Sequence, residues 1–265
     1  MWNKEGVDAV DPATTDKLLG LFEPSHVQFE ADRAEDAAGE PSLTEITTTA
    51  IDILSKNPNG YILQVEAGRV DHALHAGNAY CALTDNIEFA SAIQATLDKV
   101  NLEETLIIVT SDHGHVMTFA GYPPRGNDIL GLSVDAEEGS DTGGQVKLAL
   151  DGKPYTTLGF ANGLGSVFMP EETEEDATTT VATTTSENMA EEMGVVRPDL
   201  TSVDTTDKDY LQQALVPLED ETHGGSDVAA YGIGPRSYLL RGVVEQSYLF
   251  HVMDYALNLT ERAKD

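Results

Sequence analysis

Two short apolar runs stand out along the chain, at residues 61–65 and 105–110, and each has the length and composition of a buried strand. Between them, apolar side chains recur at helical spacing from about residue 71 to about residue 99. A strand, a helix and a second strand in this order are typical of a βαβ unit. The pattern therefore predicts the α/β class, with a parallel or mixed sheet covered by helices.

A further helix is predicted just before the first apolar run. Ser42 or Thr44 is a candidate N-cap, and Glu45 lies in the first turn, as in a capping box. Apolar side chains then fall on one side of the helix to about residue 56. A last amphipathic helix is predicted from residue 245 to about residue 259, and there His251 is a packing residue rather than a metal ligand.

Four residues of metal-binding type lie within ten positions at the end of the first apolar run: Glu66, Asp71, His72 and His75. Asp71 and His75 are four residues apart, so a helix that starts near Asp71 would direct both side chains from one face. A carboxylate and an imidazole together suit a zinc-like ion. Asp and His are also common at this spacing by chance, and a capping Asp at a solvated helix start explains the pair as well.

Two later patches make a metal site the better interpretation. The second apolar run ends in Asp112, His113 and His115, at the strand end where open α/β sheets place their ligand crevices. The third patch, residues 221–225, places His223 between acidic and glycine-rich neighbours. Five of the seven histidines fall in the three patches, which core or surface histidines have no reason to do. We therefore predict one shared metal site.

The charge balance is extreme, because 15 Lys and Arg face 46 Asp and Glu and give a formal net charge of −31. Such a charge argues against nucleic acid or an anionic membrane surface as a partner. The acidic residues are spread along the chain rather than held in one tail, as expected of a halophilic surface that keeps a protein soluble in high salt.

The single cysteine, Cys81, excludes an internal disulfide framework, and its apolar-leaning helical context predicts a small buried residue rather than a reactive thiol. No apolar run is long enough to span a membrane. The opening residues, 1–6, are too short and too polar for a secretory signal.

Three segments of this sequence resemble the metal-binding motifs of the alkaline phosphatase family. They read Val-Glu-Ala-Gly-Arg-Val-Asp-His at residues 65–72, Thr-Ser-Asp-His-Gly-His at residues 110–115 and Glu-Thr-His-Gly-Gly at residues 221–225. The resemblance extends in the right order over nearly the whole chain, and also includes residues 19–26, 121–126 and 245–257. It implies the family's fold, a central and mostly parallel sheet flanked by helices, with a crown-like surface insertion.

The resemblance also implies a site with two zinc ions and one magnesium ion. The ligands that it implies are Asp71, His75 and His223 for the first zinc, Asp112 and His113 for the second, and Glu66 for the magnesium. Three protein ligands suit an open catalytic zinc site. The second zinc has only two implied ligands and the magnesium only one, so both sites lack ligands in this sequence.

Two further histidines receive catalytic roles from the resemblance. His72 matches a position beside the substrate phosphate, and His115 would lie near the first zinc and orient it through a carboxylate. The implied reaction is hydrolysis of small-molecule phosphate monoesters. The resemblance further implies a homodimer and a periplasmic or secreted location.

The family's nucleophilic serine has no counterpart in this sequence, which contains no Asp-Ser-Ala motif. Together with the missing metal ligands, this predicts that the sequence is a carboxyl-terminal portion, and that an absent amino-terminal part supplies the nucleophile. Two alternatives stay open. The chain could come from a phosphodiesterase-type relative with a similar two-metal site, or it could be a non-catalytic, acidic metal-binding module.

Composition divides the chain into three parts. Residues 1–120 are predicted to be the metal-binding part of a catalytic α/β domain, and residues 217–265 return to that domain with the last metal-binding histidine and the final helix. Residues 121–216 form an acidic, crown-like insertion, in which Asp151-Gly152 favours a hairpin and residues 171–192 an acidic loop.

Overall fold

A computed structural model describes residues 1–136, 144–167 and 197–264 of the chain. The described helices are α1 (Lys4–Asp8), α2 (Leu43–Leu54), α3 (Gly68–His75), α4 (Ala79–Lys99), α5 (Tyr248–Leu257) and α6 (Leu259–Arg262). The described strands are β1 (Ile107–Thr110), β2 (Gly114–His115), β3 (Met117–Phe119), β4 (Leu158–Gly163), β5 (Ala214–Pro217), β6 (His223–Gly224) and β7 (Ala230–Ile233). The protein thus combines helices with strands, as the α/β prediction requires.

Helix α2 begins at the predicted capping box. The Ser42 hydroxyl accepts a hydrogen bond from the Glu45 backbone N–H, at 3.3 Å, and the Glu45 carboxylate accepts one from the Ser42 N–H, at 2.9 Å. The two side chains therefore satisfy two N–H groups that a helix start leaves without partners. Ser42 is the cap, and the helix prediction is confirmed.

The prediction of one continuous helix from residue 71 to residue 99 is wrong, because α3 and α4 are separate helices. Gly77 adopts a left-handed conformation, with φ of 69°, which ends α3. The Asn78 side chain then caps α4 by accepting from the Cys81 N–H at 2.9 Å. Gly77 and Asn78 therefore separate α3 from α4.

The strand predicted at residues 61–65 is also wrong. This run is not assigned as a strand, and its side chains alternate between partly buried and exposed. A strand is stabilised by hydrogen bonds to a neighbouring strand, and no described strand pairs with this run. The second apolar run does form a strand, β1, which pairs antiparallel with β7.

A large, mostly parallel sheet is not confirmed. The described strands form three small sheets: β1 with β7, β2 with β6, and β4 between β3 and β5. Only the β4–β5 pair among these described strands is parallel. The two pairs at the site are therefore short antiparallel ladders, which tie residues 107–115 to residues 223–233.

Residues 121–216 contain the predicted hairpin. Gly152 has φ of 74°, and the Ala149 N–H donates to the Lys153 carbonyl at 2.9 Å across the turn. The arm after the turn continues into β4. The crown-like form of this segment stays a prediction, and the acidic loop predicted at residues 171–192 lies outside the described residues.

The core that carries the site lies between α3, α4 and the β4–β5 pair. Its buried members are Ala73, Leu74, Cys81, Ala82, Phe160 and Ala214. Cys81 is thus a buried residue, as predicted, and burial raises the pKa of its thiol to about 11. Packing against this core holds one face of α3 in place, while Asp71 and His75 remain partly exposed beside it. No helix in the described ranges has the length and apolar character that a membrane crossing requires.

Candidate metal centre

The three sequence patches meet at one place in the fold. Helix α3 supplies Asp71 from its first turn and His75 from its last. Strand β2 supplies His115, which is directly opposite His223 of β6 in the antiparallel register. Because each patch is held by a different element, the cluster depends on the packing of α3 against the small β2–β6 ladder.

Asp71, His75 and His223 form a compact triangle of potential ligands. The Asp71 Oδ1 atom lies 3.4 Å from His75 Nε2 and 3.5 Å from His223 Nε2. The two Nε2 atoms are 3.1 Å apart. A tetrahedral zinc with bonds of about 2.0 Å would separate its ligand atoms by about 3.3 Å. The three donor atoms therefore fit one zinc ion in both chemistry and spacing.

The His75 ring is oriented for this task from its other nitrogen. His75 Nδ1 donates a hydrogen bond to the Glu221 carbonyl oxygen at 2.5 Å. This contact fixes the tautomer, so the Nε2 lone pair is available toward Asp71 and His223.

His115 lies between two carboxylates. Its Nδ1 contacts Glu221 Oε2 at 2.6 Å, and its Nε2 contacts Asp71 Oδ1 at 3.0 Å. Both nitrogens thus have carboxylate partners, so the geometry suits a residue that orients Asp71 better than a direct ligand.

Glu221 is the residue of the site that sequence reasoning did not assign. It is only 1% exposed, and its remaining oxygen accepts from the Val116 backbone N–H at 2.5 Å. Its position two residues before His223, in the acidic flank of the third patch, was the available signal. That flank places a carboxylate close to His223 in the chain, but nothing in the sequence shows that its side chain is buried.

Asp112 and His113 lie together at the edge of the triangle. Asp112 Oδ2 is 3.4 Å from His113 Nε2, a spacing that also fits two ligands of one ion. The His113 ring stacks on His223 with centroids 3.5 Å apart, and its Nε2 is 3.8 Å from Asp71 Oδ1. The buried His113 Nδ1 has no hydrogen-bond partner among the described residues. His113 is therefore close enough to Asp71 and His223 to share an ion with them, whereas Asp112 is not in that group.

His72 points to a different neighbourhood from its chain neighbour Asp71. Its ring contacts His26, with centroids 4.2 Å apart, and its Nδ1 lies 3.4 Å from Arg69 Nη1. Burial lowers the pKa of His72, and the nearby His26 and Arg69 lower it further. His26, Arg69 and His72 therefore form a small group of basic side chains beside the acidic cluster.

Glu66, like His72, is a predicted site residue that lies outside the cluster. Its side chain is exposed and lines a cavity together with residues of α2 such as Ile46 and Ile53. Among the described residues, the groups of His, Asp and Glu close enough to share an ion at the cluster are Asp71, His113, His115 and His223, and His75, His115 and Glu221. Glu66 is in neither group, so its assignment to magnesium stays a prediction.

Comparison with protein families matches residues 1–259 to the family described as alkaline phosphatase. The chain is 41% identical over 256 residues to the tissue-nonspecific alkaline phosphatase isozymes of Felis catus and Homo sapiens, which covers 97% of this chain and 42% of each relative. It is 38% identical to the alkaline phosphatase of Gadus morhua, over 97% of this chain and 46% of that protein. The chain thus spans less than half the length of these relatives.

Among solved structures, the chain is similar to a cold-active alkaline phosphatase from a Shewanella species, with a TM-score of 0.40 and 26% identity over 48% of this chain and 30% of that one. The assignment does not depend on this likeness, because the family match covers residues 1–259. The chain belongs to the alkaline phosphatase family.

Proposed function

We propose that this chain carries the zinc-binding part of an enzyme that hydrolyses small-molecule phosphate monoesters. The observation that carries the proposal is the triangle of Asp71, His75 and His223, with donor atoms 3.1–3.5 Å apart. Two imidazole nitrogens and one carboxylate are a ligand set for a catalytic zinc with an open position. Family membership adds the phosphatase chemistry to this geometry.

The remaining roles extend outward from the triangle. Asp112 and His113 are proposed to hold a second zinc, because their donor atoms are 3.4 Å apart and adjoin the first set. Glu66 is proposed to contribute to a magnesium site. When bound, the two metal ions would supply positive charge to stabilise the oxygens of a transferred phosphoryl group.

The chain's own side chains hold and orient this site. His115 keeps the Asp71 carboxylate in place through the 3.0 Å contact, so that Asp71 does not swing away from the two imidazoles. His72, with Arg69 3.4 Å away, offers N–H groups for the phosphate oxygens. His115 thus positions a metal ligand, and His72 and Arg69 position the phosphate. The attack on phosphorus needs a nucleophile in addition.

That nucleophile is proposed to come from another part of a longer protein. The sequence contains no Asp-Ser-Ala motif, and the curated relatives are more than twice as long as the chain, which covers 42% of them. A serine and additional metal ligands from that part would complete the second zinc and magnesium sites. The complete enzyme is further proposed to be a periplasmic or secreted homodimer with an acidic, salt-adapted surface.

The proposal is tested with the full-length protein and with the 265-residue chain in parallel. Hydrolysis of an aryl phosphate is measured with zinc and magnesium, with a chelator, and against an aryl phosphodiester. We expect chelator-sensitive turnover of the monoester by the full-length protein only. Preferred diester cleavage would replace the proposal with a phosphodiesterase, and zinc binding without turnover in both proteins would replace it with a metal-binding module.

A further inference from the structure

We propose that Glu221 is the positioning residue of this metal centre, acting through its side chain on His115 and through its main chain on His75. The inference rests on the proposed function in one respect, namely that Asp71, His75 and His223 bind a zinc ion. It adds a residue that is not proposed as a ligand and that connects its own patch, residues 221–225, to the other two.

The Glu221 side chain is buried with both oxygens in use. One oxygen accepts from the Val116 N–H at 2.5 Å, and the other contacts His115 Nδ1 at 2.6 Å. Burying a carboxylate costs several kcal/mol unless it is paired and hydrogen-bonded. A residue retained only for packing could be apolar at lower cost, so the two contacts suggest a role in placing His115.

The Glu221 main chain forms two hydrogen bonds with His75. Its N–H donates to the His75 carbonyl oxygen at 2.8 Å, and its carbonyl oxygen accepts from His75 Nδ1 at 2.5 Å. The first contact positions the end of α3, and the second sets the ring orientation of His75. These contacts do not depend on the Glu221 side chain.

The two routes meet at one atom. His115 Nε2 lies 3.0 Å and His75 Nε2 lies 3.4 Å from Asp71 Oδ1. Glu221 therefore fixes two imidazoles that face the same carboxylate oxygen, and the side-chain route runs from Glu221 through His115 to Asp71. Partners that orient a ligand in this way commonly change metal affinity by about 10- to 100-fold.

The substitution Glu221→Gln separates the two routes. Glutamine keeps the size of the side chain and all main-chain contacts to His75. It has one acceptor oxygen and one NH₂ group, so it presents a donor to either the Val116 N–H or His115 Nδ1. When the amide oxygen accepts from the Val116 N–H, the NH₂ group faces His115 Nδ1, so this nitrogen can no longer donate to a carboxylate and must change to the acceptor tautomer or lose the contact. The His75 contacts remain.

The experiment measures zinc affinity of the full-length protein by competition with a chromophoric chelator, alongside visible absorption of the cobalt-substituted protein. We expect Glu221→Gln to weaken zinc binding at the site of Asp71, His75 and His223 by about 10- to 100-fold and to change the cobalt spectrum. Glu219→Gln, at an exposed carboxylate two residues earlier, is the matched control and should leave both readouts unchanged. Unchanged zinc affinity and cobalt spectrum in Glu221→Gln would overturn the proposal.

Thermal melting of the metal-free protein and a second variant distinguish a purely structural role of Glu221 from the proposed positioning role. A structural role predicts a lower melting temperature with unchanged zinc affinity, which would contradict the inference. If Glu221→Gln does not fold, the test uses Glu221→Asp, which keeps a carboxylate on a shorter side chain. We expect Glu221→Asp to weaken zinc binding relative to the wild type. Wild-type zinc affinity in a folded Glu221→Asp that melts at lower temperature would also contradict it. Absence of phosphatase activity in the wild type would remove the proposed function without affecting these binding results.

Discussion

His75 Nε2 lies 3.1 Å from His223 Nε2, although the two residues are 148 positions apart in the chain. Two imidazole nitrogens at this distance repel through their lone pairs unless a proton or a cation lies between them. Asp71 Oδ1 completes the triangle at 3.4 and 3.5 Å. The arrangement is therefore one that a zinc ion would stabilise.

Removing one corner of the triangle should remove the first zinc. We predict that His223→Ala in the full-length protein lowers bound zinc by about one equivalent and reduces monoester hydrolysis by at least about 100-fold, because one of three protein ligands is lost. Zinc is counted by atomic emission after dialysis. His251→Ala is the control and should keep both values, because His251 is exposed on α5 rather than packed as predicted. Near wild-type zinc content in His223→Ala would refute the ligand assignment.

The turn between α3 and α4 depends on a left-handed glycine. Gly77 has φ of 69° and open space around its α-carbon, so a methyl group adds strain without a clash. We predict that Gly77→Ala lowers the free energy of unfolding by about 1–2 kcal/mol. Urea denaturation checks this value. Gly225→Ala, also in open space but without a positive φ, should change it little, and equal effects of both substitutions would argue against strain at Gly77.

Asp85 predicts a pH dependence of stability. Burial raises its pKa to about 6, above the usual value near 3.8, so its charged form is disfavoured in the folded protein. The ionised Asp85 carboxylate therefore destabilises the folded protein above pH 6. This penalty disappears as the pH falls from about 6 toward 4, where the carboxyl is protonated in both states. We expect Asp85→Asn to stabilise the protein at pH 8 by about 1 kcal/mol, given its partial exposure, and to have no effect near pH 4.

The measurement for Asp85 is the difference in urea midpoint between variant and wild type across pH 4–8. Asp98→Asn, at an exposed position of the same helix, controls for removal of a charge. A pH-independent difference for Asp85→Asn would show that its carboxyl does not titrate differently in the folded and unfolded states.

The capping box of α2 gives a stability prediction of its own. Ser42→Ala removes the hydroxyl that accepts from the Glu45 N–H, and we expect it to cost about 1 kcal/mol. Ser55→Ala, at the exposed end of the same helix, removes a hydroxyl that only donates to the Asp52 carbonyl at 3.3 Å. Thermal melting should rank the two variants in that order, and the reverse ranking would mean that the cap contributes little.

Local signals in the sequence predicted local features well. Ser42 and Glu45 predicted the start of α2, and the clustering of five histidines predicted that three distant patches share one site. The capping prediction succeeds because a cap is defined within four residues. The role of the clustered residues as metal ligands stays a prediction. The structure brings His75, His113, His115 and His223 together around Asp71, whereas the fifth clustered histidine, His72, contacts His26.

Features that depend on distant partners were missed. Residues 61–65 have the composition of a strand, but a strand also needs a neighbour, and that neighbour cannot be identified from the run itself. Gly77 was not identified as a helix end, because isolated glycines also occur inside helices. The role of Glu221 depends on burial beside β2, more than 100 positions earlier in the chain, which no local pattern encodes.

The most direct test of the zinc centre is anomalous diffraction from crystals of the full-length protein, recorded on both sides of the zinc absorption edge. We predict a strong zinc peak bonded at about 2.0–2.2 Å to an Asp71 oxygen, His75 Nε2 and His223 Nε2, with His115 outside bonding distance. A zinc peak bonded to other residues, or an active enzyme with no zinc at this triangle, would contradict the assignment.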